Sequence, residues 1–92
     1  MIHVERLDKQ EKEIMQEIWE NRIDEENWNE EYWRGRLEEL SKEEAKELRY
    51  ILNSLRYKRY INYIGTKDGI KSLYVMEDGL EFCKNFFRFS TF

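Results

Sequence analysis

Residues 41–82 read SKEEAKELRYILNSLRYKRYINYIGTKDGIKSLYVMEDGLEF, and this stretch decides the fold. Ser41-Lys42-Glu43-Glu44 has the form of a capping box. The Ser41 hydroxyl meets the amide of Glu44, and the Glu44 carboxylate reaches back to the amide of Ser41. A helix therefore opens at Ser41. Ala45, Leu48, Leu52 and Leu55, flanked by Ile51, recur at helical spacing as its buried stripe. From Tyr60 the period changes to that of a strand. YINYIG and IKSLYVM are β-branched and aromatic, and they flank Thr66-Lys67-Asp68-Gly69. Asp-Gly suits the positive φ of a type I′ turn, so the pair reads as a hairpin. With Asp68-Gly69 as its two-residue loop, Ile64 faces Leu73 and Tyr63 faces Tyr74. A last helix is expected from Glu77 to about Arg88.

Upstream, Trp33, Leu37 and Leu40 fall at i, i+4, i+7 of a helix from about Asn29 to Leu40. The next helix begins almost where this one ends, so the two must turn sharply, as in a helix-turn-helix. Gly35 costs this helix roughly 1 kcal/mol against alanine. Close packing by another helix or simple tolerance would each account for it. A first helix runs from Leu7 to about Arg22, with Leu7, Ile14, Met15, Ile18 and Trp19 at helical spacing. Asp8 stands early in it, where a carboxylate suits the helix dipole. Between these helices IDEENWN is a polar break with Trp28 as an anchor.

Helix, helix, sharp turn, helix, hairpin, helix is the order of a winged helix. Residues 41–82 resemble the core of winged-helix regulators of the multiple-antibiotic-resistance (MarR) and phenolic-acid-repressor (PadR) type. Leu52, Leu55, Lys58, Tyr60 and Ile61 occupy the positions of that family's leucine-rich segment and basic turn. Tyr74 and Gly79 match its Tyr-x-x-x-x-Gly return into the last helix. Met76 stands where the family often has Thr, and Arg59 where it has Gly. The resemblance runs from Trp28 to the end of the last helix. It implies an α+β, mostly α fold: three helices, a two-stranded β-hairpin wing and a C-terminal helix. Residues 1–92 would form a single winged-helix domain, with 79–92 a dimerisation helix and tail.

The chain is 40% hydrophobic, 15% aromatic and 39% charged, with four glycines and no proline. That composition suits one helix-rich core and not a disordered chain. No run of about 18 apolar residues is present to span a membrane. The N-terminus lacks the apolar stretch of a signal peptide. Cys83 has no second cysteine to pair with. Together these predict a cytoplasmic protein. The net charge is −4. Residues 1–44 carry 7 Lys+Arg against 15 Asp+Glu, while residues 45–92 carry 9 against 5. An acidic and a basic face are expected.

Opposite the leucine stripe of the third helix lie Lys42, Lys46, Tyr50, Asn53 and Tyr57, with Arg49 and Arg56 at the margin. Glu43 and Glu47 fall toward the other flank. Lys, Arg and Tyr can reach phosphates, and Asn can pair with adenine. Lys67 and Lys71 stand at the tip of the hairpin and on its return strand. These nine residues are the candidate surface for double-stranded DNA. The resemblance implies a third helix in the major groove and a wing on the minor groove or backbone. An ordinary solvated face is the plain alternative.

The last helix carries apolar residues on two sides: Leu80, Cys83 and Phe87 on one, Phe82, Phe86 and Phe89 on the other. One side can close the core. The other, with Phe92 behind it, is the candidate homodimer interface, or it folds back on the first helix. Trp19, Trp28 and Trp33 are expected in the core, with a small apolar effector pocket between helices as the alternative. No enzyme is expected. His3 is the single histidine, no His/Cys set has metal spacing, and no Gly-rich phosphate loop or cofactor motif occurs. Two functional classes fit. One is a homodimeric, sequence-specific DNA-binding transcriptional regulator. The other is a protein-interaction module using the acidic or Phe-rich surface, with a nucleic-acid mimic as a variant of it.

Overall fold

The computed structural model describes residues 7–24, 27–66 and 69–87. The first helix, α1, spans Lys9–Glu20, and Asp8 is its cap and not its first turn. The Asp8 carboxylate accepts the Glu11 amide at 2.8 Å, and the Glu11 carboxylate accepts the Asp8 amide at 2.9 Å. Two orphan amides of the helix start are thereby satisfied. Its inner face carries Glu11, Ile14, Met15, Ile18 and Trp19.

The second helix, α2, spans Glu30–Glu38, capped by the Asn29 side chain on the Tyr32 amide at 3.1 Å. Trp33 is buried and stacks on Trp28, with ring centroids 5.1 Å apart. A Cβ at Gly35 would meet nothing within 4 Å, so no neighbouring helix requires that glycine.

The third helix, α3, spans Lys42–Tyr57. It opens on the expected capping box, with Ser41 and Glu44 exchanging hydrogen bonds of 3.2 and 3.0 Å. Leu48, Ile51, Leu52 and Leu55 are buried, and Ala45 is half-buried. The helix ends in a Schellman turn. The Tyr60 amide donates to the Leu55 carbonyl and the Arg59 amide to the Arg56 carbonyl, both at 3.0 Å. This turn needs a left-handed residue after the cap, a place usually held by glycine. Here Arg59 takes it, at φ 68°.

Strands β1 (Ile61–Thr66) and β2 (Gly69–Val75) pair antiparallel. Their register corrects the one read from Asp68-Gly69. Thr66 pairs with Gly69, so that glycine is a strand residue. Ile64 faces Lys71, not Leu73, and Tyr74 faces Asn62, not Tyr63. The hairpin closes one residue earlier than an Asp68-Gly69 loop would close it, and between Ile64 and Asn62 the ladder then breaks, where β2 carries one residue more than β1. A bulge of this kind places a residue in the left-handed region, and Ser72 has φ 56°. Leu73 and Val75, two residues apart and so on one face of β2, both turn into the core, at 0% and 2% exposure. The Ser72 amide, out of the ladder, donates to Glu30 at the start of α2 at 2.5 Å. A single bridge, Asn27 to Tyr74, lies beside β2, supported by the Trp28 amide on the Leu73 carbonyl at 3.3 Å.

The last helix, α4, spans Glu77–Phe86, with Met76 as a cap whose side chain makes no capping bond. The Met76 amide donates to the Tyr60 carbonyl at 2.9 Å. Gly79 sits directly over that carbonyl. A Cβ there would lie 2.1 Å from the Tyr60 oxygen and 2.8 Å from Val75 Cγ1. The described chain is thus an α+β, mostly helical fold of four helices and one two-stranded sheet around one core cluster. No helix among the described residues is long and apolar enough to cross a membrane.

Candidate nucleic-acid interface

The residues expected to face outward on α3 all do so. Lys42, Lys46, Arg49, Tyr50, Asn53, Arg56 and Tyr57 are exposed, Tyr50 and Tyr57 to 75% and 83%. Their order around the helix follows from a step of about 100° per residue. Arg56, Arg49, Lys42, Asn53, Lys46, Tyr57 and Tyr50 follow one another across an arc of roughly 120°. No carboxylate of α3 falls inside that arc. Glu43 and Glu47 lie beyond Tyr50, and Glu47 lines a cavity against α1. The acids and bases of α3 are therefore sorted onto two flanks.

One edge of the arc is tied to the hairpin. The Arg56 guanidinium lies over the Tyr63 ring of β1, 4.7 Å from its centroid, a cation–π contact that leaves donors facing solvent. Lys71 is exposed on β2. Lys67 lies outside the described residues. The hairpin is itself held to α2 by the Ser72–Glu30 bond, and its two strands are tied by Asn62, whose side chain donates to the Tyr74 hydroxyl at 3.3 Å.

The acidic half is partly neutralised by its own contacts. Glu17 on α1 accepts from the Arg36 side chain at 2.6 and 3.2 Å and from the Tyr32 hydroxyl at 2.8 Å. The bond to Glu17 pushes both the Tyr32 phenol and the Arg36 guanidinium above their usual pKa.

The candidate dimer residues do not stay together. Phe82 is buried at 9% exposure, which corrects its assignment to a surplus outer face. Tyr60 meets its ring edge-on at 5.6 Å and Phe87 at 5.7 Å, so Phe82 closes the core under the α3–β1 junction. Phe86 stacks on it at 4.4 Å and is 62% exposed. Phe89 and Phe92 lie outside the described residues.

Trp19, Trp28 and Trp33 are buried, and their indole N–H groups have no hydrogen-bond partner among the described residues. Two cavities of about 340 and 210 Å³ lie between helices, and neither is lined by a tryptophan. The larger, between α1 and α3, is polar, lined by Asp8, Gln10, Glu47, Tyr50, Ser54 and Lys58 among others. It is not the apolar pocket the sequence allowed for. Cys83 is fully buried, and burial pushes its thiol pKa up to about 12, which leaves it unreactive. No group of His, Cys, Asp and Glu among the described residues could hold a metal ion.

One charged cluster escaped the sequence reading. Glu11 is buried to 3% exposure on the inner face of α1. Its Oε2 accepts from the Ser54 hydroxyl at 2.5 Å, and its Oε1 accepts from Lys58 Nζ at 2.9 Å. Burial by itself would raise the carboxyl pKa. The Ser54 hydroxyl, the Asp8 amide and the Lys58 ammonium outweigh it and hold the group below the usual carboxylate range. The available signal was Glu11 itself, at i−3 and i−7 from Ile14 and Ile18, on a stripe otherwise apolar.

No family model, curated protein or solved structure matches the chain.

Proposed function

We propose that the chain is a winged helix-turn-helix module that binds double-stranded DNA as a homodimeric, sequence-specific regulator. The carboxylate-free arc on α3 carries this reading. It offers four cations for phosphates, two exposed tyrosines and one Asn able to pair with a base edge. Support also comes from the order of elements and from the Arg56–Tyr63 contact, which puts the hairpin beside the arc. In this reading α3 enters the major groove and the hairpin, with Lys71 and Lys67, rides on the backbone or minor groove. Two copies would meet successive grooves about one helical turn apart.

The net charge of −4 works against this at long range. Binding must come from local phosphate contacts, and such binding falls steeply with salt. The log–log slope is about 0.9 per phosphate neutralised. A dimer using Lys42, Lys46 and Lys67 once per subunit would neutralise roughly six. Fluorescence anisotropy with duplex DNA checks this. Lys46→Ala should weaken all sequences alike and flatten the slope, whereas Asn53→Ala should reduce preference among sequences. No retention at 50–100 mM salt contradicts the proposal.

The exposed Phe86 favours a contact between copies, and it alone of the candidate dimer residues is both described and exposed. Phe86→Ser is expected to give a helical monomer in sedimentation. An unmodified chain that is monomeric at tens of micromolar would remove the dimer from the proposal.

A further inference from the structure

We infer that Glu11 is a positioning residue for the exposed face of α3, fixing the last turn of that helix and its exit into β1 against the start of α1. The inference rests on the DNA reading only for what that face does, not for the clamp itself.

The geometry is unusual for an ion pair. One carboxylate closes the capping box of its own helix through the Asp8 amide and also grips α3 at two places, Ser54 and Lys58. These contacts span 43 and 47 residues of sequence. The Glu11 side chain is 4% exposed and that of Lys58 18%, so solvent screens the pair little. Ser54 and Lys58 bracket Arg56 and Tyr57, the two members of the arc nearest the carboxyl end of α3. Lys58 leads directly into Arg59, the left-handed residue of the Schellman turn. Tyr60 follows, and its carbonyl receives Met76 and lies under Gly79. Three elements therefore meet a single turn of chain, with Glu11 on one side and α4 on the other.

Beside the clamp α1 and α3 part around the cavity of about 340 Å³. Besides Glu11, the cavity is lined by Asp8 and Gln10 at the start of α1, and by Glu47, Tyr50, Ile51, Ser54 and Lys58 from α3. Glu47 and Asp8 are acids, so they cannot take over from Glu11 as acceptors without adding repulsion to one another.

Hydrogen exchange on the full chain tests the clamp. Four proteins are compared: unmodified, Glu11→Gln, Lys58→Met and the double variant. Glu11→Gln keeps the shape and removes the charge. It is expected to speed exchange at the amides of residues 58–60 by about ten-fold or more relative to those of α2. The double variant should change by less than the product of the singles, because the two side chains share one contact and removing either already breaks it. Uniform acceleration across all elements, no acceleration, or strictly multiplicative singles would each overturn the inference.

A second arm separates positioning from stability. Gly35→Ala improves helix propensity in α2, outside the arc, and its Cβ meets open space. The chain with both Glu11→Gln and Gly35→Ala should bind duplex on the order of ten-fold more weakly than Gly35→Ala alone, with an unchanged salt slope. Equal binding overturns the positioning role. If the unmodified chain binds no DNA, the DNA reading fails, and the exchange arm still decides the clamp.

Discussion

The amino and carboxyl ends of α3 are held by different kinds of contact. At the amino end, Ser41 and Glu44 satisfy each other across three residues of sequence. At the carboxyl end, the last turn is held by Glu11 from more than forty residues upstream and by Met76 and Gly79 from the start of α4. The first device sets where the helix begins and leaves its direction free. The second sets where the helix points, because contacts from two other elements must be met at once. A face that reads a groove depends on direction, so the carboxyl end matters more to the proposed function.

The largest expected effect breaks that end from the α4 side. Gly79→Ala puts a methyl 2.1 Å from the Tyr60 carbonyl oxygen, which is backbone and cannot swing away. A loss of about 3 kcal/mol or more in urea unfolding is expected. A loss under about 1 kcal/mol would show that α4 can lift off the junction at little cost.

Next is the clamp. Glu11→Gln should lose about 2–3 kcal/mol at neutral pH. The Glu11 carboxyl is held below its ordinary value of 4.5, so the unfolded chain takes up the proton first on acidification. The stabilisation is thus fully present above 4.5 and is lost as pH falls through the folded value. The gap between the unmodified chain and the variant should stay constant from pH 7 to about 5 and shrink below 4.5. A gap that does not change with pH would mean that the lost energy is packing and not charge.

Smaller effects sharpen the contrast between the ends. Ser41→Ala should cost roughly 1 kcal/mol. Arg59→Gly should gain about 0.5–1 kcal/mol, since a side chain at φ 68° is strained where glycine is not. Thermal unfolding of both variants at neutral pH checks the two signs.

The same contrast explains what could be read in advance. The Ser41–Glu44 box, the leucine stripe, the change of period at Tyr60 and the outward set of α3 are each a property of one continuous stretch of chain, and propensity and spacing determine them. The Schellman turn could have been foreseen from Tyr60 following Leu55 at the right distance, but Arg59 hid it, since glycine is the usual signal. The hairpin was legible as a hairpin. Its register was not, because Asp-Gly does not fix which residues close the hairpin, and Gly69 pairs with Thr66 as a strand residue; the bulge near Ser72, whose amide meets Glu30 of another element, then shifts the pairing again. Helical spacing gives α4 two apolar faces and does not say which one meets Tyr60, so the burial of Phe82 is not legible in it. Glu11 stands on the apolar stripe of α1, but its partners Ser54 and Lys58 are set by tertiary packing alone, which spacing does not show.

The central claim is that the arc from Arg56 to Tyr50 is the surface that meets DNA. Titrating the isotopically labelled chain with a duplex at low salt, and following its amide resonances, tests this most directly. The account predicts shifts at Lys42, Lys46, Arg49, Tyr50, Asn53, Arg56, Tyr57 and Lys71, with Glu31, Glu38 and Glu39 of the acidic half unmoved. Shifts confined to α4 around Phe86 or to the acidic half, or no shifts at all, would contradict it.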